Sequence, residues 1–173
     1  FSTPPPPPPI LSGLVGSEMC IRDRLTRAKP KIANYKFTTL NPNLGVSIYD
    51  DKEITLADIP GLIEGAHEGS GLGIKFLKHI ERCKTLLHLI DITEEDLIHS
   101  YRQVRIELKK YSRELEKKKE IVVFNKIDLI NKDEINYKLT KFKKRIKKNV
   151  LLISTLDKTS LSKIKSKLIK HVS

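Results

Sequence analysis

The sequence predicts an α/β fold three layers deep, with a mostly parallel sheet covered by helices on both faces. Three observations predict it. In the second half of the chain, short apolar runs of strand length alternate with longer, charged, amphipathic ones, the order that right-handed crossover units impose. The run from Thr85 to Ile92 is apolar almost throughout, broken only by His88 and Asp91, as a strand buried on both faces must be. Polar clusters then follow the ends of these runs, which is where sheets of this kind bind ligands.

Length and composition set the frame for those elements. A chain of 173 residues with 39% hydrophobic content supports one core and is short for two. The 33 lysines and arginines against 21 acidic residues leave a net charge of +12. That excess points to a polyanionic partner, nucleic acid or ribosome, while an A+T-rich genome would raise lysine and isoleucine by codon bias alone; both readings stand. Cys20 and Cys83 match no metal spacing and require no disulfide, so the chain reads as cytoplasmic, with no membrane span.

Residues 1–24 read as a proline-rich leader, non-native or disordered. Six prolines run from Pro4 to Pro9, and the segment has neither the basic start nor the uninterrupted apolar core of a signal peptide. Leu14 to Arg24 looks like the in-frame translation of a sequencing adapter rather than an evolved segment. Ile10 to Val15 is nevertheless apolar and of strand length, although Gly13 weakens it.

From Leu25 the elements follow in order. Leu25 to Lys29 is the stub of a helix stopped by Pro30, and the polar stretch from Pro30 to Asn41 reads as a loop. Leu44 to Tyr49 and Glu53 to Ala57 form a hairpin through Asp50, Asp51 and Lys52, delivering Asp58 to a strand end. Five glycines between Gly61 and Gly73 mark a segment with little reason to be rigid. Ile74 to Arg82 has helical spacing, Thr85 to Ile92 is a strand, and Asp96 to Lys119 is one long helix with Leu97, Val104, Leu108, Tyr111 and Leu115 inward. Ile121 to Phe124 is a strand, Lys132 to Lys148 a helix, Asn149 to Ile153 a strand and Thr159 to Val172 a closing helix.

Chemistry concentrates at Asn125, Lys126, Ile127 and Asp128, just after the strand Ile121 to Phe124. The Asp128 carboxylate offers two acceptor oxygens, which suit the ring N–H and exocyclic amine that guanine presents side by side and adenine does not. Asn125 can tie neighbouring loops together, and the Lys126 stem can cover a purine face. Alone, N-K-x-D is a weak signal. Asp58, Ile59, Pro60 and Gly61 fit the D-x-x-G of guanine-nucleotide switches, Thr38 and Thr39 fit an effector-loop threonine, and Ser154 and Thr155 fit the last base loop; four elements in order are a strong one.

These residues resemble the Obg family of ribosome-associated GTPases. The resemblance is carried by Ala28 to Gly45, by Asp58 to Ala66 with the glycines that follow, and by the Phe-Leu-Lys-His-Ile-Glu-Arg run from Phe76 to Arg82. It covers about Leu25 to Ser173 and implies a P-loop GTPase-like (Ras-like) fold, with residues 25–173 as an incomplete Obg-type GTPase domain. It also implies hydrolysis of GTP to GDP and phosphate with Mg²⁺, a role in assembly of the large ribosomal subunit through that subunit or its RNA, and a monomer. The implied GTP-binding residues are Phe37, Thr38, Thr39, Leu40, Asn41, Asp58, Ile59, Pro60, Gly61, Asn125, Lys126, Ile127, Asp128, Ser154, Thr155 and Leu156. Thr39 would touch Mg²⁺ directly and Asp58 through water. Leu62 stands where Ras-like enzymes carry the glutamine that aligns water, which implies slow hydrolysis.

One departure is complete. The phosphate-cradling G-x-x-x-x-G-K-[ST] expected before Leu25 is not in the sequence, so the first, central strand is expected to be missing with it and activity impaired. Ile10 to Val15 is the one candidate to fill that slot. The alternatives are a nucleotide-independent module binding ribosomal RNA and a non-functional chimaeric fragment. The densest basic run, Lys141 to Lys148, would serve the former, and His67, His79 and His88 have no metal-site spacing and read as structural or exposed.

Overall fold

In the computed structural model, which describes residues 10–14, 25, 44–49, 52–58, 83–111 and 113–172, the apolar runs become six strands of one sheet. They are β1 (Ile10–Leu14), β2 (Leu44–Tyr49), β3 (Lys52–Asp58), β4 (Cys83–Asp91), β5 (Lys119–Asn125) and β6 (Val150–Leu152). The helices are α1 (Leu97–Tyr111), the short α2 (Arg113–Lys117), α3 (Lys132–Ile146) and α4 (Lys158–Val172). Strand order is β2-β3-β1-β4-β5-β6, with only the β2–β3 hairpin antiparallel. The α/β class and mostly parallel sheet expected from the sequence are therefore present.

The central position, which the missing first strand was expected to leave vacant, is filled by the segment the sequence offered as its one candidate. Residues 10–14 lie between β3 and β4, pairing Leu11 with Leu56 on one side and with Thr85 on the other. The physical reason is that the inner edges of β3 and β4 each present unpaired N–H and C=O groups, and a strand-length segment satisfies both at once. The reading of residues 1–24 as a leader thus includes five residues that are paired in the sheet. The helix stub is represented by Leu25, 1% exposed in the core. The expected loop over 30–41, the glycine-rich stretch 61–73 and the helix over 74–82 lie outside the described residues.

Two helix boundaries differ from the periodicity. The helical run expected over 96–119 is described as α1 and α2, on either side of residue 112, and it ends at Lys117 because Lys119 already pairs with Thr85 as the start of β5. Charged residues at 117–120 hide that strand start from hydropathy. On α1, Leu97 and Leu108 face inward as expected and Tyr101 joins them at 7% exposure. Tyr111 and Leu115 lie outside the described side chains. α3 ends at Ile146, two residues early, because Lys147 turns left-handed at φ 56° and its N–H caps the Lys143 carbonyl at 2.9 Å.

The alternating faces of β4 and β5 divide the core. Leu87, Leu89, Ile121 and Val123 pack with Leu25, Leu56 and with Leu161, Ile164 and Leu168 of α4. On the other face Ile90, Val122 and Phe124 meet Leu97 and Tyr101 of α1 and Phe142 of α3. The Phe142 ring stands edge-on to Phe124 at 5.0 Å and to Tyr101 at 5.4 Å, which seats α3 against the sheet. Because β4 and β5 run parallel with Asp91 opposite Asn125, both strands finish level, and their loops open on one rim.

On the α1–α3 face the strand bases carry a polar island. His88 Nδ1 lies 3.0 Å from Glu120 Oε1 and its ring stacks on Tyr101 at 5.1 Å. The Tyr101 hydroxyl donates to Glu120 Oε2 at 2.8 Å, and Arg105 and Lys148 approach the same carboxylate at 3.7 and 3.8 Å. Burial pushes the Glu120 carboxyl up, but His88, Arg105 and Tyr101 together hold it below its ordinary value. Burial and the facing Glu120 charge push the Tyr101 phenol up. His88, 1% exposed, is structural.

Candidate functional site

Two loops at the carboxyl rim are held together by backbone hydrogen bonds. Ile153, following β6, donates its N–H to the Phe124 carbonyl at 2.9 Å, continuing the β5–β6 ladder, and its own carbonyl accepts from Ile127 N–H at 3.2 Å. The Asn125–Asp128 turn and the Ser154–Leu156 turn are therefore neighbours although about thirty residues apart in sequence. The isoleucine at the end of a short apolar strand does the joining, so the arrangement depends on β6 pairing in register with β5.

Within the first loop the chain leaves β5 by a left-handed step at Lys126, φ 65° and ψ 33°. A residue with a β-carbon tolerates that region at a cost of roughly 1–2 kcal/mol, so surrounding contacts must hold it there. They do: Leu129 N–H closes a 3-10 turn on the Lys126 carbonyl at 3.0 Å, and the Lys126 ammonium pairs with Asp91. The turn leaves Asp128 exposed and delivers the chain to Asn131, whose side chain caps α3 by accepting from Glu134 N–H at 2.9 Å.

Asn125 is 1% exposed, and neither side-chain polar atom has a hydrogen-bond partner. Such atoms cost roughly 1–3 kcal/mol where they stay unpaired, and they mark a place where a ligand or a closing loop would recover that cost. In the second loop Ser154 is buried; its Oγ accepts from Leu156 N–H and its carbonyl from Asp157 N–H, both at 3.1 Å. Asp157 caps α4 by accepting the N–H groups of Thr159 and Ser160 at 2.9 and 3.1 Å, and it also accepts from their hydroxyls at 2.6 and 2.7 Å; together these bonds hold its carboxyl far below the usual carboxylate range. Thr155 is half-buried and Leu156 exposed on the rim.

The remaining sequence-nominated residues are not brought into view. Phe37, Thr38, Thr39, Leu40 and Asn41, and Ile59, Pro60 and Gly61, lie outside the described residues. Asp58 ends β3, as expected, with only its backbone described. No group of three or more histidine, cysteine, aspartate or glutamate side chains among the described residues could hold a metal ion, and the two residues nominated for Mg²⁺, Thr39 and Asp58, have side chains outside that set. The oxygen donors they carry are the hard type that Mg²⁺ takes.

Two functional candidates escaped the sequence reading. Asp91, noted only as a break in a strand, accepts from the N–H and hydroxyl of Thr93 at 2.9 and 2.7 Å while pairing with Lys126. Partial burial raises its carboxyl, but Lys126 and Thr93 outweigh that and leave it lowered; the same pairing raises Lys126. Lys138 of α3 donates to the carbonyls of Ile92 and Glu94 at 2.8 and 3.0 Å, holding the turn after β4. The D-x-T spacing of an Asx turn was the available signal for Asp91; for Lys138 there was none.

A mostly parallel sheet whose rim brings an N-K-x-D turn against a serine turn defines a GTPase-type domain. Solved structures share the fold: the Era protein of Aquifex aeolicus at TM-score 0.66 and 19% identity, over 95% of this chain and 56% of that one, and nucleolar GTP-binding protein 1 of Plasmodium falciparum at TM-score 0.64 and 20% identity, over 94% and 84%. The family model described as 50S ribosome-binding GTPase matches residues 20–126, more than half of the sequence, and the chain belongs to that family. It is 66% identical over 149 residues to GTPase Obg of Pelagibacter ubique, covering 86% of this chain and 46% of that protein, and 54% identical over 140 residues to GTPase Obg of Rickettsia massiliae, covering 81% and 42%. The resemblance to Obg is thus borne out, with the chain spanning under half the length of these relatives. Among the described residues no helix is long and apolar enough to cross a membrane.

Proposed function

We infer that the rim is a guanine-nucleotide site and that the protein of which this chain carries the GTPase domain, residues 25–173, hydrolyses GTP to GDP and phosphate in the service of large-subunit ribosome assembly. The observation that carries the reading is the Ile127–Ile153 hydrogen bond, which sets Asp128 and the serine turn side by side. In that arrangement Asp128 accepts from the ring N–H and amine of guanine, Lys126 covers one purine face, and the backbone around Ser154, Thr155 and Leu156 lines the base edge. Asn125, buried beneath them, ties the loops when the ligand is in place.

Thr39 and Asp58 are the residues that would hold Mg²⁺, the first directly and the second through water. The ion supplies neutralisation of phosphate charge. Phe37 to Asn41 and Asp58 to Gly61 serve as the two switch segments, ordered by the terminal phosphate and released without it. Equilibrium titration of the full chain with fluorescent GDP and ADP tests the base assignment: a clear preference for GDP is expected, and equal binding overturns it.

A second reading, a module that binds ribosomal RNA without nucleotide, is favoured by one observation. Lys141, Lys143, Lys144, Arg145, Lys147 and Lys148 are all exposed along and just beyond the carboxyl end of α3.

A further inference from the structure

Asp91 and Asn125 end adjacent parallel strands directly opposite one another, and the Ile92 N–H donates to the Asn125 carbonyl at 3.1 Å. The Asp91 carboxylate is held from two sides: Thr93 donates twice to Oδ1, and the Lys126 ammonium takes Oδ2. Thr93 in turn rides on a turn clamped by Lys138 through the Ile92 and Glu94 carbonyls. A continuous set of interactions therefore runs from α3 through the β4 turn to the one residue of the N-K-x-D loop whose backbone is left-handed.

An ion pair with Lys126 40% and Asp91 21% exposed adds little to folding. Its consequence is orientation. A free lysine stem must be ordered when a base slides beneath it, and that loss opposes binding; a stem already tethered at its far end has lost it beforehand. The tether also opposes relaxation of Lys126 out of its left-handed conformation, which would swing the following turn and Asp128 with it.

We propose that Asp91 is a positioning residue for base selection, fixing Lys126 as a preformed wall of the purine pocket and stabilising the turn that presents Asp128. The proposal rests on the reading of Asn125 to Asp128 as a guanine-reading loop, and it extends the specificity apparatus to a residue on another strand, 35 positions away.

The test uses the full chain and Asp91→Asn, which keeps the side-chain size and an oxygen for Thr93 but loses the charge that holds the ammonium. Without nucleotide, the intraresidue HN–Hα NOE of residue 126, strong only at positive φ, is expected to weaken in Asp91→Asn; an unchanged NOE overturns the proposal. With nucleotide, GDP affinity is expected to fall about tenfold and ADP affinity by a smaller factor, since the Lys126 wall serves either purine and Asp128 only guanine, and Asp91→Asn is expected to add nothing in a Lys126→Met background. Equal loss for both nucleotides, or additive loss in the double variant, makes Asp91 merely structural and overturns the proposal. If the unsubstituted chain itself shows no guanine preference, the underlying reading fails and the proposal with it, whereas a guanine preference that survives Asp91→Asn undiminished overturns the proposal alone.

Discussion

Ile127 N–H lies 3.2 Å from the carbonyl oxygen of Ile153, so the N-K-x-D turn and the serine turn form a single rim rather than two independent loops. The bond closes a ladder in which Ile153 N–H already donates to Phe124, and it places a residue of the base-reading turn in the extension of the sheet itself. Loops anchored this way are positioned by strand register, which is far stiffer than loop packing.

Asp128 should carry the nucleotide specificity. Asp128→Ala leaves two guanine donors without an acceptor, a loss of roughly 1–3 kcal/mol, while adenine nucleotides lose nothing. Calorimetry with GDP and ADP is expected to show the preference collapsing with no change in thermal stability, because Asp128 is exposed.

The 173-residue chain should turn over GTP at least about 10³-fold more slowly than a version supplied with a G-x-x-x-x-G-K-[ST] loop and its strand, because no other residue in the sequence replaces that lysine and its backbone donors. Single-turnover phosphate release measures this; robust hydrolysis by the chain alone would refute it.

Glu120 should make the fold acid-labile. Burial raises its carboxyl, but His88 of β4 and Arg105 and Tyr101 of α1 outweigh that and hold it below its ordinary value of 4.5, and Lys148 after α3 faces the same carboxylate. A lowered carboxylate contributes stability that is present above the unfolded value and lost as pH falls through the folded one. Chemical denaturation of Glu120→Gln is expected to show roughly 1.5–3 kcal/mol lower stability at pH 7, and a flatter profile below pH 4.5, than the unsubstituted chain.

The exposed basic end of α3 should mediate RNA binding if the chain associates with ribosomal particles. Neutralising Lys143 and Lys144 is expected to weaken binding and to make the salt dependence shallower by about 0.7–0.9 for each phosphate no longer neutralised. An unchanged slope in filter binding would assign the +12 charge to composition alone.

The central placement of β1 should be essential to the sheet. Leu11→Pro removes a backbone donor from a central strand, where proline is not accommodated. Hydrogen exchange is expected to show protection of 54–57 and 86–90 lost together; independent, retained protection would mean that β3 and β4 are stable without it.

What the sequence determined by itself was the class of fold, the existence of its long elements and the base loop. Those signals are local: period-two and period-3.6 hydropathy, turn residues, and a motif written in four consecutive positions, 125–128. It mistook the start of β5, because Glu120 is a charged residue on a buried strand, and His88, Tyr101, Arg105 and Lys148, brought from elsewhere in the chain, make its burial tolerable. The sequence nominated Ile10 to Val15 for the central slot, but only tertiary structure decided that Ile10–Leu14 would fill it, that Lys138 would reach the Ile92 carbonyl 46 residues away, and that Asp91 would hold Lys126. The reason is common to all three: each interaction is created by the parallel register of strands far apart in the chain, and register is set by how faces pack into one core, a property no single segment carries.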